Sequence, residues 1–166
     1  MKPIIAILLA LGMSLSPGAG AEDEGLFSSQ SLTTEAALKA AQAALLHCRG
    51  QGYQVAVAVV DRMGILQVAL RDRYAGAHTP DTAKGKAWTA ASFRANTSEM
   101  VEVTQPGEPQ AGVRHLPGAV MVGGGMIIEA AGSLVGAIGV SGAPGGDLDD
   151  TCAEAGIAAI EELIAF

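Results

Sequence analysis

Residues Gln54 to Val60, the run QVAVAVV, constrain the fold of this chain most. They read as a strand. In an extended chain alternate side chains face opposite ways, so Val55, Val57 and Val59 point to one side and Ala56, Ala58 and Val60 to the other. Both sides are apolar, and such a strand has to be covered on both faces. Asp61-Arg62-Met63-Gly64 reads as a hairpin turn, with Ile65 to Leu70 returning as the second antiparallel strand. Two antiparallel strands buried on both faces predict a three-layer α/β/α sandwich, with helices above and below the sheet.

Helix signals flank this hairpin. Thr33 or Thr34 caps a first helix, with Glu35 in its first turn, and the helix runs Ala-rich to Arg49 and stops at Gly50. Leu38, Ala41, Leu45 and Cys48 fall on one narrow face. Thr79-Pro80-Asp81 starts a second helix that carries Lys84, Lys86, Trp88 and Phe93 and ends near Asn96. Residues 97–118 read as an acidic turn and a long loop with Pro106, Pro109, Gly112 and Pro117. Three short strands follow at 119–122, 126–130 and 134–140, separated by glycine-containing turns, so the sheet is expected to have five strands. Asp147, Asp149 and Asp150 open a last helix whose expected inner face is Cys152, Gly156, Ile160 and Leu163.

The first 21 residues read as a secretory signal peptide: Lys2, the apolar run Ile4 to Leu11, and small residues at Ala19-Gly20-Ala21. The run is too short to span a bilayer. Residues 22–31 read as a flexible leader and 32–166 as one domain, placed in the periplasm or secreted. Without the leader peptide the chain keeps 9 Lys+Arg against 17 Asp+Glu, a balance that offers nucleic acid or an anionic membrane no electrostatic footprint. Seven of those nine cations lie between Arg62 and Arg114, either as an ordinary solvated surface or as a basic rim for an anionic group. The two cysteines, Cys48 and Cys152, lie near the end of one predicted helix and the start of another. An even count in an exported chain is consistent with a disulfide that antiparallel packing would close, or with two buried thiols.

No motif names an enzyme. Gly123–Gly125 and Gly142–Gly146 lack the lysine-bearing P-loop and the dinucleotide spacing, and read as turns. Ser133 and Ser141 lie near glycines but outside any nucleophile elbow. No two of His47, His78 and His115 have zinc-ligand spacing. His78 and His115 fall in the two irregular segments, each near cations: Arg73 and Lys84 by the first, Arg114 by the second. They are surface loop histidines or, in a functional reading, either is an axial ligand to haem iron whose propionates pair with Arg73, Lys84 or Arg114. That reading expects a haem cleft between segment 71–79 and loop 106–118.

Three blocks in order, Tyr53 to Gly64, Lys86-Ala87-Trp88-Thr89-Ala90, and Val135 to Gly142 followed by Asp150…Cys152-Ala153-Glu154-Ala155-Gly156-Ile157, resemble the GlcG/HbpS-like family, also called the haem-degrading domain family. The resemblance covers about residues 32–164. It implies a profilin-like α/β/α domain with a five-stranded antiparallel sheet, homo-oligomers, and haem binding in several members. Some members occur in glycolate or diol metabolism, others are fused to a cobalamin adenosyltransferase, and one secreted branch senses redox stress with a sensor kinase. The expectation is an exported haem-binding protein, a haem-handling or redox-sensing accessory. The alternatives are an enzyme or binding protein for a small 2-hydroxy acid or aldehyde, and a structural oligomer that assists a partner oxidoreductase.

Overall fold

The computed structural model describes residues 25–165, so the expected signal peptide lies outside the described residues. Helix α1 spans Thr34–Gly50, and the Thr33 side chain accepts the Ala36 N–H at 3.2 Å as its cap. Its buried face is Ala36, Ala37, Ala40, Ala41, Ala44 and Cys48. The expected face was turned: Leu38 is exposed and Leu45 only half-buried. A stripe of alanines lets the backbone approach its neighbours more closely than leucines would.

Strands β1 (Ala56–Asp61) and β2 (Leu66–Arg71) form the hairpin, and the Asp61 carboxylate accepts the Met63 and Ile65 N–H groups across the turn. Strands β3 (Gly125–Ala130) and β4 (Ser133–Ser141) follow later in the chain. All pairings are antiparallel, in the order β2-β1-β4-β3. Strand β1 is interior and buried on both faces, as its sequence requires. Strand β2 is not: it is the sheet edge, and its positions are exposed or half-buried.

The alternation along β1 sorts two cores. Val55, Val57 and Val59 join Ile138, Val140 and the buried faces of α1 and α4 (Gly146–Ala158). Ala56, Ala58 and Val60 face helix α2 (Thr79–Phe93), meeting Ala83, Ala87 and Ala90. On this side the sheet is so lightly furnished that a Cβ on Gly139 would overlap the Ala83 carbonyl oxygen and lie 2.7 Å from the Ala87 nitrogen.

The sheet has four strands, not five. Residues 119–122 lie against α2, where Val120 N–H donates to the Thr89 hydroxyl at 2.9 Å. The outer edge of β3 is instead met by helix α3 (Thr97–Val103), which lies within the segment expected to be a turn and loop. Gly125 N–H donates to the Thr97 hydroxyl at 2.8 Å and Ile127 N–H to the Asn96 side chain at 3.1 Å. Side chains therefore occupy the alternate amides that a fifth strand would use. Helix α2 stops at Phe93, earlier than expected, because Arg94 takes a left-handed conformation, φ 54°. Helix α4 ends at Ala158 and the chain turns before α5 (Glu161–Ile164), so the spacing from Cys152 does not carry to Leu163, which is exposed.

Cys48 of α1 and Cys152 of α4 are joined by a disulfide, with Cα atoms 5.5 Å apart. Among the described residues no helix is long and apolar enough to cross a membrane.

Candidate functional site

Helix α2 carries a lysine on its buried stripe. Lys86 stands three residues after Ala83 and four before Ala90, and like them it faces inward, at 1 % exposure. Its ammonium donates to the Val140 carbonyl at 2.9 Å and to Asp149 Oδ2 at 2.7 Å. Asp149 is equally hidden, on the first turn of α4, and its Oδ1 accepts the Ala143 N–H at 3.0 Å. Burial holds the Asp149 carboxyl above the usual carboxylate value. The hydrogen bond and charge of Lys86 and the Ala143 amide pull it back, and the charge of Asp150 pushes it up.

A glycine makes room for this pair. Gly124 has φ 110°, and a Cβ there would stand 2.6 Å from the Asp149 Cβ and 2.8 Å from the Lys86 Nζ. Its own N–H donates to Asp150, whose other oxygen accepts from the Ser98 hydroxyl. Helices α2, α3 and α4, the end of β4 and the 123–125 strap are thus tied together at one place.

That place is the floor of an open cleft of about 630 Å³. It is lined by Tyr74, Gly76, His78, Thr79 and Thr82, by loop 141–146, and by Tyr53, Gln54 and Val122. The volume lies in the range of small-molecule sites. A second cleft of about 490 Å³ lies along α2 and is lined by Asp81, Lys84, Gly85, Trp88, Pro117, Gly118 and Val120. A smaller one of about 290 Å³ holds Arg49, Gln54, Asp72, Arg73 and Tyr74, and shares Gln54 and Tyr74 with the first. There Asp72, 4 % exposed, pairs with Arg49 through one carboxylate oxygen.

The sequence-derived site residues are dispersed over these features. His78 lines the 630 Å³ cleft, Lys84 the 490 Å³ cleft and Arg73 the 290 Å³ cleft. Arg114 and His115 lie on a short 3-10 helix, Ala111–His115. The Arg114 guanidinium donates to the Val101 and Thr104 carbonyls, which fastens this segment to the end of α3, and His115 is exposed. Loop 106–118 contributes no residue to the His78 cleft; segment 141–146 lines it together with 74–79. Lys86 and Asp149 were not singled out from sequence as site residues. Their signal is their position: a lysine at the alanine spacing of α2, and an aspartate three residues before Cys152 on the inner face of α4.

A four-stranded antiparallel sheet, helices on both faces, and a polar cleft floored by a buried ion pair define the class of α/β domain. Residues 32–158 match the family described as haem degrading protein HbpS-like, and the chain belongs to that family. Among solved structures it is similar to HbpS, at 41 % identity over 86 % of this chain and 99 % of that one, with a TM-score of 0.78; a double mutant of HbpS from Streptomyces reticuli gives 40 % and 0.78, covering 89 % and 99 %. It is also similar to PduOC, whose structure is a complex with haem, at 32 % identity, 78 % and 95 % coverage and a TM-score of 0.74. The corrinoid adenosyltransferase PduO of Salmonella typhimurium is 38 % identical over 90 residues, which are 53 % of this chain and 27 % of PduO, so the match spans about a quarter of that relative's length.

Proposed function

We propose that this is an exported haem-binding protein whose haem occupies the His78 cleft. The observation that carries the reading is the position of His78: among the described histidines it alone lines a cleft of ligand size. The HbpS-like family and the similarity to PduOC, solved with haem, support it. The donor set fits the group. An imidazole, His78, and two aromatic side chains, Tyr53 and Tyr74, line the cleft, and Arg73 lines the adjoining 290 Å³ cleft with Tyr74. His78 would supply the axial nitrogen and Arg73 would pair with a propionate; Lys84 is the next cation along α2. Bound haem supplies a redox-active iron. His115 and Arg114 have no part in this arrangement.

The Cys48–Cys152 disulfide supports an oxidising compartment, periplasmic or extracellular, as does the signal-like start of the sequence. Exposed apolar side chains such as Met63, Ile65 and Leu66 at the β1–β2 hairpin support assembly into a homo-oligomer. A role as a redox-sensing accessory to a sensor or oxidoreductase partner follows from this reading.

Haemin titration tests it. The wild type is expected to give a saturable Soret shift and to quench the fluorescence of Trp88, the only tryptophan of the chain. His78→Ala should weaken binding by about ten-fold or more and shift the band, while His115→Ala should match the wild type. An unchanged spectrum in His78→Ala would remove that ligand, and no saturable shift in the wild type would end the haem reading. Light scattering of the same sample reads the assembly state.

A further inference from the structure

We propose that Lys86 is a carbonyl-reactive amine, and that a small aldehyde or 2-oxo acid entering the cleft forms a reversible imine with its Nζ. This goes beyond haem binding and does not rest on it. Four observations point the same way. Lys86 is 1 % exposed yet borders a cleft of about 630 Å³, so a solute meets it only through that cleft. The ammonium has three hydrogens, and among the described residues only two find acceptors, Val140 O and Asp149 Oδ2. A proton acceptor is already in contact, at 2.7 Å. Polar side chains also line the cleft: Ser141, and Thr79 and Thr82, whose hydroxyls donate to the Gly76 and His78 carbonyls.

Burial alone does not account for a lysine here. A buried ion pair is commonly no more stabilising than apolar residues of the same volume, and a purely structural contact between α2 and β4 needs no charge. An amine that forms imines needs a neighbouring group to take its proton, and Asp149 stands in that position.

The step balances without an oxidant. A proton passes from Nζ to Asp149 Oδ2, whose carboxyl burial already favours in its neutral form. The freed lone pair attacks the carbonyl carbon to give a carbinolamine. Asp149 returns its proton to the departing oxygen, which leaves as water, and the C=N bond forms. Addition of water reverses the sequence.

Borohydride trapping tests the proposal on the intact wild-type protein. Glyoxylate or propionaldehyde is added at neutral pH with borohydride, and the adducts are located by peptide mass spectrometry. Lys39 and Lys84, both exposed, are internal controls for unselective amine chemistry. The expected result is a saturable adduct at Lys86 that forms about ten-fold faster than at Lys39 or Lys84. Asp149→Asn, which keeps an acceptor for Ala143 N–H but cannot take the proton, should slow trapping at Lys86 and leave the controls unchanged. No adduct at Lys86, or one no faster than the controls, overturns the proposal. Haemin titration of the same preparation is read separately, so failure of one reading is distinguishable from failure of the other.

Discussion

Lys86 and Asp149 are each close to fully buried, and each is the other's counter-charge. Removing one side is therefore expected to cost much more than a surface substitution. Lys86→Met leaves a carboxylate without its cation and should lower stability at pH 7 by about 3–5 kcal/mol, measured by chemical denaturation. The pH dependence has a defined sign. The Asp149 carboxyl is raised above the usual carboxylate range by burial, against the lowering effect of Lys86. Loss of Lys86 removes that opposing effect and raises it further. The folded variant then binds a proton that the unfolded chain has released, so its stability increases as pH falls from neutral through the folded value. The deficit relative to wild type should shrink on acidification. A deficit that is constant or grows towards acid would contradict the account.

Elements meet here through absent side chains. Strand β4 brings Gly139 under α2 at Ala83 and Ala87, and the helix lies almost on the sheet backbone. Lys86 reaches the end of β4 because this approach is so close. Gly139→Ala should push α2 off the sheet, since the obstructing atoms are helix backbone and cannot rotate away. The expected cost is about 3 kcal/mol or more, with the His78 cleft deformed because α2 carries its wall. A melting temperature within a degree or so of wild type would contradict this contact.

Across the whole molecule, the disulfide closes a loop of 104 residues and joins the two helices on one face of the sheet. The chain-entropy model gives about 4–5 kcal/mol for a loop of this length. The double variant Cys48→Ala, Cys152→Ala should lose a comparable amount in urea unfolding, and the untreated protein should resist alkylation at both positions. Two alkylated cysteines in the untreated protein, or a loss under about 1 kcal/mol, would count against the bond. Helix α1 also carries Arg49, whose pair with Asp72 lines the 290 Å³ cleft adjoining the His78 cleft, while α4 carries Asp149.

Much of this was legible in the residues, because local rules govern it. Period-two burial along β1 assigned both cores, a Thr33 or Thr34 cap and Pro80 placed two helix starts, and two cysteines near facing helix ends were consistent with the bond that the structure holds. The positions that were missed depend on contacts distant in sequence. Whether 119–122 becomes a strand depends on what else reaches the β3 edge, and Asn96 and Thr97 reach it first. Whether Leu38 or Ala37 faces inward depends on how near α4 can come. The site shows this most clearly: Lys86 and Asp149 are 63 residues apart, and neither is unusual alone. A lysine and an aspartate become a buried pair at the floor of a cleft only when a helix, a strand end and a glycine strap converge, and removal of water there then raises the Asp149 carboxyl.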